Sequence, residues 1–524
     1  MRSLLVLVLA LALAACDSGP QNGQYWAKKL VKDPAARQQA VRELRKLKDP
    51  GAVPGLIEAL QQNNRYKSDI ADLLGELGDR SAVQPLVAAI DFDSISMKSA
   101  EAKVRNQANG RIANALGKLG DPAALDALKR LSKATDAYVQ LQAVRALARL
   151  KTPEAVESFL QVIDTSDNAK AIKAALVALG DQGTVSAAPT LVRMLFVEKK
   201  ASFYREASFA LFQLGKEAVE PLIDALEGRN EEVNALRLDP AVVPAKVALV
   251  LGEIGGERVV PVLRGLAQFA DSQSPLGMSP LVRANAIRSL GFLRDPGLLP
   301  LARKSLRSID VGVREYPTEA VGLLGDRSVV PELLEAAGHE PYWSDCKKAG
   351  FEDLACTNSE LEVRQLSARW LTRLADASHA APYAKLVEQE ANPTIKAALL
   401  AEGVRLKVAE ECQQQVDCLL AKLKQQAPAG ASAEEVAQAA RIRDKAAFEL
   451  SYLGNPLTGP PLLEALGDPD VEVRFAIAVA LLRLLPKAGV EDVEKVILAD
   501  RGKSTYARVD ELLRRLVVKM RRSY

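Results

Sequence analysis

Leu74-Gly75-Glu76-Leu77-Gly78-Asp79 is the stretch whose reading decides the fold. It returns as Leu116-Gly117-Lys118-Leu119-Gly120-Asp121, as Leu290-Gly291-Phe292-Leu293-Arg294-Asp295 and as Leu450-Ser451-Tyr452-Leu453-Gly454-Asn455. Each copy closes an apolar, Ala-rich stretch of helical periodicity and opens a short turn. Gly stops one helix and Asp caps the next. A unit that recurs along one chain marks a stacked repeat architecture.

Working outward, the last Leu or Ile of each unit recurs as Leu47, Leu77, Leu119, Leu150, Leu179, Leu214, Ile254, Leu293, Leu324, Leu374, Leu406, Leu453 and Leu484. Adjacent anchors lie roughly 30 to 50 residues apart, the range of helical-hairpin repeats. Leu406 is the least secure, because no turn signal follows Gly403-Val404-Arg405. Within a unit the pattern is helix A, turn, helix B. A Pro follows each of many anchors, as at Pro54, Pro85, Pro221, Pro261, Pro300, Pro331, Pro382 and Pro460. The first turn of helix A tolerates Pro, since the missing N–H has no intrahelical partner there. Val473, Ile477, Ala480, Leu481 and Leu484 form one apolar helix face, and Phe475, Val479 and Leu482 a second. A helix apolar on two faces is sandwiched between neighbours.

The helix-A phrase Val330-Pro331-Glu332-Leu333-Leu334, the helix-B entry Asp470-Val471-Glu472-Val473-Arg474 and the Leu-Gly-x-Leu-Gly-Asp ending resemble the HEAT-repeat family. Within it they are similar to the short bacterial repeats related to phycobilin lyases. The helix-B entry recurs at Val282-Arg283, Val313-Arg314 and Val363-Arg364. The resemblance implies an all-α, right-handed superhelix of about a dozen hairpins over residues 27–500. It says little about function, since such repeats serve scaffolds, adaptors, transport factors and lyase subunits. The recurring Arg suits a ligand-binding ladder, but is read as structural, pairing with an Asp of the same or adjacent turn. Residues 501–524 are read as a terminal cap whose basic residues form the uncovered outer face.

Composition narrows the function classes. Of 524 residues 48% are hydrophobic and only 5% aromatic, so Ala and Leu fill the core. Lys and Arg number 69 against 66 Asp and Glu, which lacks the basic excess of a nucleic-acid binder. Arg2 followed by the apolar run Leu4 to Leu13 is too short to span a bilayer and reads as a signal peptide over residues 1–15. Leu13-Ala14-Ala15-Cys16 resembles a bacterial lipobox, which implies cleavage before Cys16 and its lipidation. Several acyl chains anchor stably, each buried methylene contributing about 0.8 kcal/mol. Residues 16–26 then form the lipidated tether. The chain is expected on the periplasmic face of a bacterial membrane. Asp17 resembles an inner-membrane retention signal.

The extra residues of the longer repeats sit near 91–103, 198–203, 228–243, 270–280, 338–360 and 424–433, each between a helix A and a helix B. Insertions aligned on one edge of a solenoid make a binding surface. The richest holds His339, Tyr342 and Trp343; the aromatic pair suits a binding anchor, or equally a plug that packs the loop. Cys346 with Cys356 and Cys412 with Cys418 are expected to form local disulfides in an exported protein. Neither spacing suits zinc, and two His leave little for a metal site. No phosphate-cradling Gly loop or nucleophile elbow appears, and no cofactor is expected. His379 is read as a turn residue.

The sequence thus predicts a membrane-anchored, non-enzymatic scaffold that binds a protein or peptide, without nucleic acid. The competing readings are an enzyme or enzyme subunit acting on an envelope polymer, and a spacer with no ligand. A cluster of facing carboxylates in the groove would favour the enzyme. Oligomeric state is not legible.

Overall fold

The computed structural model describes residues 22–62, 66–97, 99–198, 201–268, 279–306, 311–338, 353–500 and 503–522. These form α-helices and short 3-10 turns; the extended pairing among them is an isolated bridge between Glu198 and Ser202. The helices gather into two compact units, one ending at Leu214 and one beginning at Gly215.

In both units helices alternate as A and B, and B helices stack side by side. The repeated six-residue phrase builds the turn between them with two glycines in two different roles. The second, Gly120, adopts the left-handed conformation at φ +63° and donates to Leu116 O at 3.1 Å, closing the helix. Asp121 then accepts from Ala123 N at 2.9 Å and starts the 3-10 turn Pro122–Ala124 that leads into helix A. Asp49, Asp79, Asp326, Asp376 and Asn455 do the same at other turns. The first glycine, Gly117, faces the next B helix. A Cβ there would lie 2.7 Å from Ala146 Cα, so these helices pack backbone against backbone. Gly75 meets Ala115, Gly180 meets Ala210 and Gly291 meets Ala320 in the same way. The expected Pro positions fall inside the first turn of helix A, as at Pro54 in Val53–Gln61 and Pro331 in Val330–Gly338.

In the first unit, Ala71, Leu74, Ala113, Leu116, Ala143 and Leu147 are fully buried between successive B helices. Each Leu contributes roughly 1.5–3 kcal/mol by leaving water. Surface ion pairs link neighbouring B helices, such as Arg111 with Asp72 at 3.2 Å and Lys173 with Glu206 at 3.0 Å. Exposed pairs contribute about 0–1 kcal/mol each, so apolar packing carries this unit.

Among the described residues the second unit has eight B helices: α1 Val242–Ile254, α2 Pro280–Phe292, α3 Val311–Leu324, α4 Asp353–Leu374, α5 Pro393–Cys412, α6 Ala433–Leu453, α7 Val471–Leu484 and α8 Ala507–Arg522. Their run turns back on itself. Tyr452 of α6 donates to Gly322 O of α3 at 3.0 Å, Arg483 of α7 donates to Leu323 O, and Arg515 of α8 pairs with Glu253 of α1 at 2.6 Å. The inner face of this unit is therefore covered by its own C-terminal helices.

Two readings are corrected here. Helix α5 runs past Leu406 to Cys412, where Gln413 at φ +44° ends it, so Leu406 is not the terminal anchor. The basic residues of α8 do not all face outward. Arg521 does, beside Glu494, but Arg515 turns inward to α1. Two of the recurring helix-B Arg residues, Arg364 and Arg474, make structural contacts of the kind read from the sequence. Arg364 donates to the helix-A carbonyls of Ala337 and Gly338 and pairs with Glu390. Arg474 repeats this on Gly467 O, Asp468 O and Asp500.

Candidate functional site

Cys16, His339, Tyr342, Trp343 and Cys346 lie outside the described residues. Cys356 lies in α4, whose side chains are described only from Leu361 onward. Cys412 ends α5 and Cys418 lies one turn into the following helix A, Val416–Leu423. The structure joins them as a disulfide across the B-to-A turn, with Cα atoms 5.3 Å apart. At several other repeats a left-handed Gly closes this turn; here Gln413 and Gln414 take positive φ.

The described connections place the added residues on the A-to-B edge. Helix A Val83–Ala88 is followed by a connection whose buried Ser94 is held by two asparagines of helix B, Ala100–Leu119. Asn106 and Asn109 hold Ser94 and the Asp91 carbonyl, so this insertion is a shaped structure. Beyond it Met97 is 50% and Val104 72% exposed, an apolar pair displayed at the edge.

A charged network not foreseen in the sequence lies between α4, α5, α6 and α7. Arg373 grips Asp444 through two hydrogen bonds at 2.9 and 3.0 Å and reaches Glu472 at 2.8 Å. Arg405 holds the other side of Asp444 at 2.6 Å and also pairs with Glu402. Trp370 and Phe448 flank the Arg373 guanidinium at 4.7 and 4.8 Å. Burial works to raise the Asp444 carboxyl, but Arg373 and Arg405 outweigh it and hold it below its ordinary 3.8. Facing carboxylates are thus present, yet cations neutralise them.

Lys445 is fully buried, and burial pushes its ammonium below the usual lysine value. It donates to Arg373 O, Ala375 O and Glu449, each at 2.7 Å. An ammonium has three donors, so this one is saturated. It caps the C-terminal carbonyls of α4, where a cation is favoured. His379 sits in the 3-10 turn Ala377–His379, in agreement with its reading as a turn residue. Its Nδ1 lies 2.8 Å from Asp376 Oδ1 and 3.3 Å from Ser378 Oγ. A proton relay needs the hydroxyl at Nε2 while the carboxylate holds Nδ1. Both partners here compete for Nδ1, so the three residues make a turn. Among the described residues no group of three or more His, Cys, Asp or Glu is placed to hold a metal.

Helices α1, α2, α3, α7 and α8 also enclose a cavity of about 180 Å³ with cationic side chains on its wall.

Comparison with known proteins agrees with this architecture. HEAT repeats match residues 129–211, and the PBS lyase HEAT-like repeat matches 36–62 and 110–133. The chain is 30% identical over 137 residues to phycocyanobilin lyase subunit beta of Thermosynechococcus vestitus, covering 26% of this chain and 56% of that protein. It is 30% identical over 238 residues to deoxyhypusine hydroxylase of Gallus gallus, covering 44% and 68%. Among solved structures, importin beta aligns over 93% of this chain and 71% of its own at 13% identity, with a TM-score of 0.49. These relatives correct the non-enzymatic reading: one is named as a lyase subunit and the other as a hydroxylase, which marks an enzyme-related family. Local motifs could not reveal this, because a solenoid assembles sites from side chains on separate helices.

Proposed function

The chain belongs to the HEAT-repeat family, and on that premise we propose that it is a lipid-anchored component of the bacterial envelope, related to enzyme subunits, that holds a protein or peptide along its A-to-B edge. The observation that carries this is the asymmetry between the two edges. Several B-to-A turns share one compact design of left-handed closure and Asx cap, whereas the longer connections fall on the A-to-B side. The second unit's inner face is covered by α6, α7 and α8, which leaves the edge as the accessible binding surface there. A lyase relative named as a subunit fits a protein that works beside a partner. Lipidation at Cys16 would keep that partner near the membrane.

The test is cross-linking in intact cells with mass spectrometry, comparing the native chain with a variant lacking residues 340–355 and carrying Cys356→Ser. A partner captured by the native chain and lost from the variant supports edge recognition. A partner retained by both excludes that loop as the reader. Absence of any reproducible partner overturns the proposal. For the anchor, an alkyne-palmitate label on the native chain that persists in Cys16→Ala would refute lipidation at that residue.

A further inference from the structure

We propose that the cavity enclosed by α1, α2, α3, α7 and α8 is a binding site for a small organic anion, with an oxyanion head of the phosphoryl type and a short apolar body.

Its wall carries Arg288 from α2, Arg483 from α7, and Arg508, Arg515 and Lys519 from α8. Two carboxylates line it with them, Glu253 and Glu511. Glu319 sits behind the wall, 3.6 Å from Arg288 and paired with Arg508. Five cations therefore face three carboxylates around the cavity, with Arg508 half-exposed and the others more deeply set. For the deeper ones an excess of like charge is costly, and a bound anion would offset it.

Arg483 shows how the site is assembled. Its donors go to neutral oxygens, Ser451 Oγ at 2.6 Å and Leu323 O. Tyr452 lies under its guanidinium at 5.4 Å. Burial pushes it down to about 10, which still leaves it charged at neutral pH. Lys519 is lowered by burial and then by Arg515. Glu253 is raised by burial, an effect that Arg515 only partly offsets. The remaining wall includes Leu249, Phe292, Leu293, Leu323, Val479 and Leu482. Charge at one end and hydrocarbon at the other define an amphiphilic guest.

Size limits the guest further. The cavity volume of about 180 Å³ is a little above the roughly 150 Å³ that takes one benzene ring. That accommodates a phosphoryl group and a few carbons and excludes the acyl chains of a membrane lipid. Guanidinium forks recognise phosphoryl oxygens in bidentate fashion. This inference is independent of partner capture at the A-to-B edge.

The experiment is calorimetric titration of the full chain at low salt with phenyl phosphate, with benzyl alcohol as the neutral probe and phosphatidate vesicles as the lipid source. Phenyl phosphate is expected to bind, benzyl alcohol and vesicles are not. The double variant Arg288→Gln/Lys519→Gln is expected to weaken binding tenfold or more, since charge-assisted hydrogen bonds carry recognition. Glu253→Gln removes an anion from the wall and is expected to tighten binding several-fold, a gain that a merely misfolded variant cannot give. Failure of the native chain to bind phenyl phosphate at low-millimolar concentration overturns the proposal. Unchanged affinity in the double variant, weaker affinity in Glu253→Gln, or binding to vesicles alone does the same.

Discussion

Gly117 and Gly120 stand three residues apart and should fail for different reasons when substituted. In Gly117→Ala the new Cβ would sit 2.7 Å from both Cα and Cβ of Ala146, where ordinary contact begins near 3.4 Å. The neighbour is helix backbone, so Ala137–Leu150 must move as a body by several tenths of an ångström or more. Overpacking of this kind costs about 1–3 kcal/mol. Better helix propensity returns about 1 kcal/mol, leaving a net loss of up to about 2 kcal/mol. In Gly120→Ala nothing lies within 4 Å of the new Cβ, and the loss of about 1–2 kcal/mol comes from left-handed φ alone. Asn separates the two causes, because it tolerates left-handed φ but is larger than Ala. Gly120→Asn should stay near the native chain, and Gly117→Asn should fall below Gly117→Ala. Urea unfolding with hydrogen exchange on peptides spanning 100–150 reads the effect locally. If Gly117→Ala exchanges no faster than the native chain, close helix approach does not explain that glycine.

Other consequences follow from the same geometry. Asp444→Asn leaves Arg373 and Arg405 without their shared carboxylate and should cost about 3–5 kcal/mol in urea unfolding of the second unit. Asp444, Glu472, Glu390 and Asp295 are all held below their ordinary values. Their contribution is complete above the unfolded-state values near 4 and disappears as pH falls through the lower folded ones. Acid titration followed by circular dichroism should show helix loss beginning below about pH 4, and less of that loss in Asp444→Asn. Arg474→Gln leaves Asp500 with only the more exposed Lys503 and removes the donor to the Gly467 and Asp468 carbonyls, so exchange at the α7 entry should rise, with a loss of about 3 kcal/mol. Reduction, or Cys412→Ser/Cys418→Ser, opens a short loop and should lower stability by about 2 kcal/mol in the oxidised-versus-reduced comparison.

The repeats were legible because each rests on local chemistry. Gly-Asp at the turn, Pro in the first turn of helix A and the apolar periodicity all act within a few residues, so one chain displays them. The role of Gly75 and Gly117 was hidden, since it depends on Ala115 and Ala146 in the next B helix. Leu406 misled for a related reason. The helix around it continues, and its end is marked by Gln413 and Gln414, residues that carry no turn signal. The charged network was wholly out of reach. Arg373 meets Asp444 and Glu472 across 71 and 99 residues, distances at which periodicity carries no information. Some hint did exist, since Arg369 and Arg373 stand one turn apart on a strongly apolar helix end.

The return of α8 onto α1 changes what a basic C-terminal helix means. An open solenoid needs a charged last face only for solubility. Here Arg515 and Lys519 line a cavity against α1 and α2 inside the second unit, with Glu253 paired to Arg515 and Glu511 also on the wall. Solubility is served as well by residues such as Arg521, which faces water. Inward cations must do something else, and closure alone would be achieved more cheaply by Leu or Met, because charged groups keep a desolvation cost. A site that retains several of them is therefore better explained by an anion than by packing. The same closure decides where a large partner can go. With the second unit's inner face covered, a protein held by that unit would approach from an edge, while the proposed guest of the cavity is small. If the two surfaces take distinct ligands by size, a variant of one should leave the other unchanged. Measuring phenyl phosphate affinity in the loop-deletion variant checks this directly: an altered affinity would show that the two surfaces are coupled.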